Sequence, residues 1–317
     1  MLRVALVGYG AIGGGILAYC LERGQDVVAI VDKDQEKVGK SPRQISNANC
    51  DVHILSDVRE VRMEGVDVAI FASRSRLADV VDDMEHVLLQ GVDVVSTCEE
   101  LAFVKPSEKA GARLEKAAAG GGVSVVGVGV NPGFVMDWIP SVVASASKNP
   151  RKIHVTRSLD VGRRRHQLQT KMGVGLNRSA FDDGVKRGSL GHVGLAESVG
   201  LIALSLGKEA PHVREGIEPI MGSEDYVMGA RQFAESTAGG CTIRLDLEMS
   251  MTSSDFDLIE VEGDPNLKLR FENGVFGDSA TVALTVSAAE RIAFARPGLI
   301  TVLELPLSGP SHGRKNG

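Results

Sequence analysis

Two short strings and a scatter of polar side chains in this chain have the types and spacing to do chemistry. The first string is Gly8-Tyr9-Gly10-Ala11-Ile12-Gly13, followed by Asp32; the second is the carboxylate pair Glu99-Glu100. A G-x-G-x-x-G loop suits a pyrophosphate. Gly8 permits a tight turn out of a strand, Gly10 lets backbone approach the phosphates, and Gly13 lets a helix pack close to a sheet. Ala11 and Ile12 count with the same loop, because the free N–H groups of a helix start attract anions. Asp32 lies at the spacing where an acid accepts hydrogen bonds from ribose hydroxyls. Its charge disfavours a ribose phosphate, whereas Lys33, Lys37 and Lys40 offset it in part. The cofactor is therefore NAD or NADP, with NAD favoured.

The carboxylate pair points to a different step. Reducing a ketone to an alcohol calls for a proton donor to the developing alkoxide, usually Tyr, Lys or His. Reducing it through an imine calls for a base that manages the protons of ammonia and an anion that stabilises an iminium cation. A carboxylate suits the second task, so Glu99 or Glu100 tilts the chemistry toward C–N bonds. Two adjacent carboxylates do not share one pocket, and the residues alone leave open which faces the ligand or whether both start a helix in solvent.

Positioning these groups requires a sheet with one busy edge. Residues 2–7 and 27–31 are apolar strands either side of an amphipathic helix with Ile16, Leu17, Cys20 and Leu21 on one face. Strands are predicted over 52–55, 66–71, 92–97 and 123–128, with helices over 77–89 and 106–119 and a glycine turn at 120–122. Their carboxyl ends deliver Ala72 and Ser73, then Cys98-Glu99-Glu100, then Asn131-Pro132 to the edge where open α/β sheets bind ligands. Regular alternation to about residue 133 predicts a Rossmann-type, doubly wound parallel sheet of α/β class.

Beyond residue 133 the pattern changes to α+β. A linking helix is predicted over 136–147, a strand over 152–159, a long polar loop from Arg163 to Lys171, and strands over 242–251 and 258–262. The expected organisation is a dinucleotide-binding domain over 1–133, a substrate-binding and dimerisation domain over 134–277, and a segment 278–307 returning to the first domain through a helix over 279–293. Residues 308–317 read as a flexible tail.

The remaining polar candidates are spread along this second part. Asn131 and Ser73 are suited to fixing a nicotinamide carboxamide. Residues 151–171 hold seven Lys or Arg against one acid. Either this is a solvated or dimer-contact stretch, or Arg164 or Lys171 reaches a substrate carboxylate or cofactor phosphate. His192 sits in a glycine-flanked turn, and Thr301 near Arg296-Pro297-Gly298 closes a pocket from the C-terminal side. Met136 and Gln169 count with the substrate-lining set.

Several strings together resemble one family. Val7-Gly8-Tyr9-Gly10-Ala11-Ile12-Gly13, Ser96-Thr97-Cys98-Glu99-Glu100-Leu101, Gly129-Val130-Asn131-Pro132-Gly133-Phe134, Gly191-His192-Val193-Gly194-Leu195 with Glu197-Ser198, and Gly277-Asp278-Ser279-Ala280-Thr281 look like 2,4-diaminopentanoate dehydrogenase and the native amine dehydrogenases related to it. The architecture is similar to that of dihydrodipicolinate reductase, but residues 155–175 lack that enzyme's substrate motif, which argues against the reductase activity. The resemblance covers nearly the whole chain. It implies reversible NAD(P)-dependent reductive amination of a carbonyl with ammonia, a homodimer, a catalytic Glu at the Cys98-Glu99-Glu100 strand end with Glu99 ahead of Glu100, and a pocket-lining His192.

Composition narrows the rest. A net charge of −6 argues against a nucleic-acid-binding surface. Four scattered cysteines without ligand spacing read as reduced thiols of a cytoplasmic protein, and no metal site is expected. Nothing before the first strand reads as a signal peptide, and no apolar run suggests a membrane partner. The function expected is an amine dehydrogenase acting on a small amine, diamino acid or carbonyl with ammonia. The alternatives are an alcohol or semialdehyde dehydrogenase on the same scaffold, or a non-catalytic NADH sensor.

Overall fold

In the computed structural model the residues described are 1–105, 107–209, 212–222 and 225–306. They fall into two compact units, one formed by Met1–Val130 with Gly277–Gly317 and the other by Asn131–Phe276. The expected tail, 308–317, lies outside the described residues.

The first unit begins with β1 (Arg3–Val7), α1 (Ala11–Glu22), β2 (Asp26–Val31), α2 (Pro42–Ser46), β3 (Ile54–Leu55), β4 (Val68–Phe71), α3 (Val81–Leu88), β5 (Asp93–Ser96), α4 (Lys109–Gly121) and β6 (Ser124–Gly127). The strands are runs of Val, Ile, Ala and Leu, and all four residues of β4, β5 and β6 are buried, as strands covered on both faces must be. The helix predicted over 77–89 is divided: a 3-10 turn at Leu77–Asp79 precedes α3. The glycines at 120–122 do not form a separate turn. Gly120 and Gly121 complete α4, and Gly122 caps it at φ +67°, in the left-handed region that glycine occupies at low cost.

The second unit holds α5 (Trp138–Ala144), β7 (Lys148–Asp160), α6 (His166–Lys171), α7 (Arg178–Lys186), α8 (Leu195–Ser205), β8 (Arg214–Met221), β9 (Val227–Ala238), β10 (Cys241–Ser250), β11 (Phe256–Asp264) and β12 (Leu267–Phe271). Its sheet runs β12-β11-β7-β10-β9-β8, antiparallel except where β7 and β10 pair in parallel. Every second residue of β7 and β10 points inward, including Ile153, Val155, Ile243, Leu245 and Leu247. The helices α5 and α8 pack on this sheet, and α8 is apolar enough to bury Leu195, Val199, Leu201 and Ile202. The segment read as a long polar loop contains a 3-10 turn at Val161–Arg163 and then α6.

The chain then returns to the first unit with α9 (Gly277–Ala289) and β13 (Gly298–Ile300). The first sheet is thereby seven strands, β13-β6-β5-β4-β1-β2-β3, parallel throughout. α9 packs on α1 so closely that a Cβ on Gly15 would come within 2.8 Å of Val282. The order reverses between β1 and β4, which is the switch point where a doubly wound sheet opens a crevice at its carboxyl edge.

Candidate active site

The glycine loop turns at this switch point. Gly8 leaves β1 at φ +101°, and a Cβ there would lie 2.6 Å from the carbonyl oxygen of Ala72. A Cβ on Gly13 would lie 1.9 Å from the Gly8 carbonyl oxygen. Neither position admits any other residue without moving backbone. Gly10 differs: nothing lies within 4 Å of where its Cβ would project, so its glycine answers to something outside the protein's own packing. Gly10 is also the N-cap of α1 and supplies no side-chain cap, and the first turn carries no acid. The first N–H groups of the helix, those of Ala11, Ile12 and Gly13, therefore lack intrahelical and capping partners, as a phosphate-binding helix start requires.

Asp32 follows β2 on the same edge. Its Oδ2 accepts from the Tyr9 N–H at 2.7 Å, which ties the acid to the glycine loop, and its Oδ1 accepts from the Asp34 N–H at 2.9 Å. Lys37, not Lys33, makes the ion pair with Asp32, at 3.4 Å; Lys33 reaches Asp83 instead. Asp32 and Lys33 line a cavity of about 170 Å³ with Gly8, Gly10, Ala72 and Ser73. Arg74, next to Ser73 on the same strand end, adds to its wall, as do Val58, Val80 and Asp83, of which sequence spacing gave no sign. An apolar floor at Val58 and Val80 beside an acid fits the adenosine end of a dinucleotide, with the glycine loop facing its phosphates.

Glu99 and Glu100 open a 3-10 turn, Glu99–Phe103, directly after β5. Register places them with the glycine loop, because Val7 pairs with Phe71 and Phe71 with Ser96. Two strand spacings, about 10 Å, separate β1 from β5 at that edge. The two carboxylates have different employment. Glu100 Oε2 accepts from the Leu77 N–H at 2.7 Å and so holds the 75–77 loop. The half-buried Glu99 side chain makes no hydrogen bond or ion pair with a described residue. Beside them the Cys98 thiol donates to the Ser75 carbonyl at 3.2 Å, and burial pushes its pKa up to about 12, so it is an inert packing group.

The second unit gathers another set. Asn131 and Pro132 are joined by a cis peptide, and the turn they start is pinned by Asp137. The fully buried Asp137 carboxylate accepts from the Gly133 N–H at 2.8 Å, the Trp138 N–H at 2.5 Å and the Ser198 hydroxyl at 2.7 Å. Burial raises its pKa, and those three donors pull the other way. Asn131 Nδ2 lies 3.2 Å from His192 Nε2. Gln232 grips the His192 backbone from both sides, accepting its N–H and donating to its carbonyl, each at 2.8 Å. Desolvation, with the positive charges of Lys171 and Arg157 nearby, pushes His192 down to about 3, so its imidazole is neutral at physiological pH.

Lys171, His192 and Asn131 are thus brought together, and the other second-unit candidates serve local structural roles. Arg164 pairs with Asp255 at 3.4 Å and stacks on Phe276 with its guanidinium 4.0 Å from the ring centre. Gln169 donates to the Val161 and Arg164 carbonyls, which staples the turn before α6. Met136 is wholly buried. In the first unit, Thr301 donates its hydroxyl and its N–H to Glu304 and closes a local turn. Arg157, missed from the sequence, stands opposite Asp257 in the β7–β11 register and pairs with it at 2.6 Å inside the core, with a second bond to the Val275 carbonyl. It is a structural ion pair whose positive charge also biases His192. No group of His, Cys, Asp and Glu that could hold a metal occurs among the described residues. No described helix is long and apolar enough to cross a membrane.

A parallel sheet of this strand order, with a tight glycine loop at its switch point and an acid after the second strand, defines a nicotinamide-dependent dehydrogenase. The profile of the 2,4-diaminopentanoate dehydrogenase C-terminal domain matches residues 134–314, and the chain belongs to that family. It is similar to the 2,4-diaminopentanoate dehydrogenase of Acetoanaerobium sticklandii, 26% identical over 96% of this chain and 94% of that one. Its fold is also that of the amine dehydrogenase from Mycobacterium smegmatis, with a TM-score of 0.86 at 20% identity and 98% of each chain covered. An engineered D-amino acid dehydrogenase bound to NADP+ is more distant, with a TM-score of 0.53 at 16% identity over 96% and 94% of the chains.

Proposed function

We propose that this protein is an NAD(P)-dependent amine dehydrogenase in which Glu99 is the catalytic acid–base. The observation that carries the assignment is the division of labour at the β5 end: Glu100 is spent on the Leu77 N–H, and Glu99 keeps its lone pairs for a ligand. In the aminating direction Glu99 takes a proton from ammonium, and the ammonia so formed bonds to the carbonyl carbon while one of its own protons passes to the carbonyl oxygen, giving a hydroxyl. Glu99 then gives up the proton it holds to that hydroxyl, which leaves as water. The remaining iminium cation is stabilised by the carboxylate charge. A bound reduced nicotinamide supplies the hydride that turns iminium into amine. Gly8, Gly10, Ala11, Ile12 and Gly13 hold the phosphates, Asp32 the adenosine ribose, and Ala72 and Ser73 the loop beside it; Asn131 and Pro132 belong with the cofactor-facing set.

NAD is the favoured cofactor, because Asp32 already carries one lysine and its remaining charge repels a ribose phosphate. The curated relative's name supports an amine or diamino acid as substrate, with Lys171 the proposed contact for a substrate carboxylate and His192 a neutral polar neighbour. A homodimer is proposed on the family resemblance, and four buried free thiols support a cytoplasmic setting.

The test is spectrophotometric, following NADH and NADPH oxidation with a panel of ketones, aldehydes and keto acids, with and without ammonium. Oxidation should require ammonium and proceed faster with NADH. Glu99→Gln should lower kcat by about a thousandfold with little change in NADH affinity. Glu100→Gln should stay within tenfold of wild type and lose about 1 kcal/mol of stability. Carbonyl reduction without ammonium would return the protein to the alcohol or semialdehyde dehydrogenases, and near-normal turnover by Glu99→Gln would remove Glu99 from the mechanism.

A further inference from the structure

Three buried side-chain atoms in the described structure have no hydrogen-bond partner: Arg164 Nε, Ser236 Oγ and Asn131 Oδ1. The first belongs to a guanidinium otherwise committed to Asp255 and Phe276. The second is a hydroxyl on a buried strand position, free to rotate. Asn131 Oδ1 is different in kind. It is a carbonyl acceptor on a residue only 7% exposed, and the Nδ2 of the same amide lies 3.2 Å from His192 Nε2.

The amide orientation follows from a chain of contacts. Gln232 fixes the backbone of His192 at both its N–H and its carbonyl. His192 stays neutral, and in the tautomer that carries the ring proton on Nδ1 its Nε2 is the acceptor that matches Asn131 Nδ2. The Asn131 carbonyl then has to face away from the imidazole. An unpaired buried acceptor is costly in isolation, so its retention here indicates a donor that arrives from outside the chain.

We propose that Asn131 Oδ1 is the acceptor for an N–H donor of the bound reactants, and that Gln232, through His192, is the positioning residue that aims it. The donor chemistry has two sources in an amine dehydrogenase, the carboxamide of the nicotinamide and the nitrogen of the substrate amine or ammonia. The inference therefore rests on the amine dehydrogenase reading, and the experiment separates the two sources. It uses the full chain, with NADH affinity measured by fluorescence titration without turnover, and with the ammonium KM and kcat measured in the aminating direction.

Asn131→Asp keeps an oxygen where the acceptor stands, and Asn131→Leu removes it. The leucine variant should lose about tenfold or more in one parameter, and the aspartate variant, which keeps the acceptor oxygen and gives up only the bond to His192, should lose clearly less. A weakened NADH affinity with unchanged ammonium KM assigns the donor to the carboxamide; the converse assigns it to the reacting nitrogen. Gln232→Leu should move the same parameter as Asn131→Leu, and Gln232→Glu, which can still accept the His192 N–H, should recover part of it. Equal losses in Asn131→Asp and Asn131→Leu would overturn the proposal by showing that the acceptor oxygen contributes nothing to either parameter. No change in either parameter would overturn it by leaving the carbonyl to a bound water. Thermal midpoints of all four variants exclude misfolding as the cause, with Asn131→Asp the variant closest to wild type in shape. NADH binding is read without turnover, so the binding arm stands even if wild-type protein shows no ammonium-dependent reaction, which would sink the broader reading and not this one.

Discussion

The glycine loop at residues 8–13 and the turn at 131–137 are both tight backbone corners that present polar groups, yet they are held in opposite ways. The first is held by backbone. Gly8 N–H donates to the Val31 carbonyl at 2.7 Å, and the constraint at Gly13 is the Gly8 carbonyl five residues earlier. The second is held by side chains drawn from far away: Ser198 and His192 are each 61 residues from the groups they hold, and Gln232 is 40 from His192. A backbone-built corner is specified by which residues lack a Cβ, and a side-chain-built one by partners that only folding brings together.

Four substitutions sharpen that contrast. The largest effect is expected in the backbone-built corner. Gly13→Ala forces a methyl into the Gly8 carbonyl and should cost about 3 kcal/mol or more, seen as a lower urea midpoint. Gly10→Ala meets nothing and should leave the stability of the free protein within about 0.5 kcal/mol while weakening NADH binding about tenfold. If Gly10→Ala leaves NADH affinity intact, the loop is not the phosphate site. In the side-chain-built corner, Asp137→Ala strands three donors and should cost about 2–3 kcal/mol, with the loss shared by Ser198→Ala in a double-mutant cycle. Additive losses would show that the two do not act as a unit.

The smallest effect is a pH dependence. His192 is depressed in the fold to about 3, while in the unfolded chain its ordinary value is about 6.5. Between those limits the unfolded chain binds more protons at this site, so its contribution to stability is complete above the upper value and declines as the pH falls toward the lower one. Urea unfolding at pH 7, 6, 5 and 4 should show a shallower decline for His192→Gln than for wild type, by up to one proton taken up on unfolding. Identical slopes would mean that the imidazole is not held neutral.

Legibility followed the same division. The first sheet was readable because its strands are continuous apolar runs punctuated by glycines, and because Asp32 and Glu99 stand directly after strands. β13 was not, since three residues at a strand end carry no period. β8 and β9 also escaped notice. β8 contains Gly216 and Pro219 and has no fully buried residue, and β9 fills its inner face with Ala230, Ala234 and Ser236, too small to mark an alternation. The 163–171 stretch read as loop because α6 buries no residue and therefore has no apolar stripe. Arg164 and Gln169 looked available for a ligand because charge and polarity are visible in a sequence and partners are not.

By itself the sequence determined the alternation of strands and helices to about residue 133, the glycine loop, the acid after β2 and the presence of a carboxylate pair at a strand end. Each depends on residues close in the chain, whose backbone freedom and burial pattern are local properties. Only the tertiary structure decided that Glu100 serves Leu77 and leaves Glu99 open, that Lys37 and not Lys33 attends Asp32, and that Asn131 meets His192. Those outcomes depend on hydrogen-bond partners set by register and packing across 5 to 61 residues, and a lone pair's availability is known only once every competing donor has been placed.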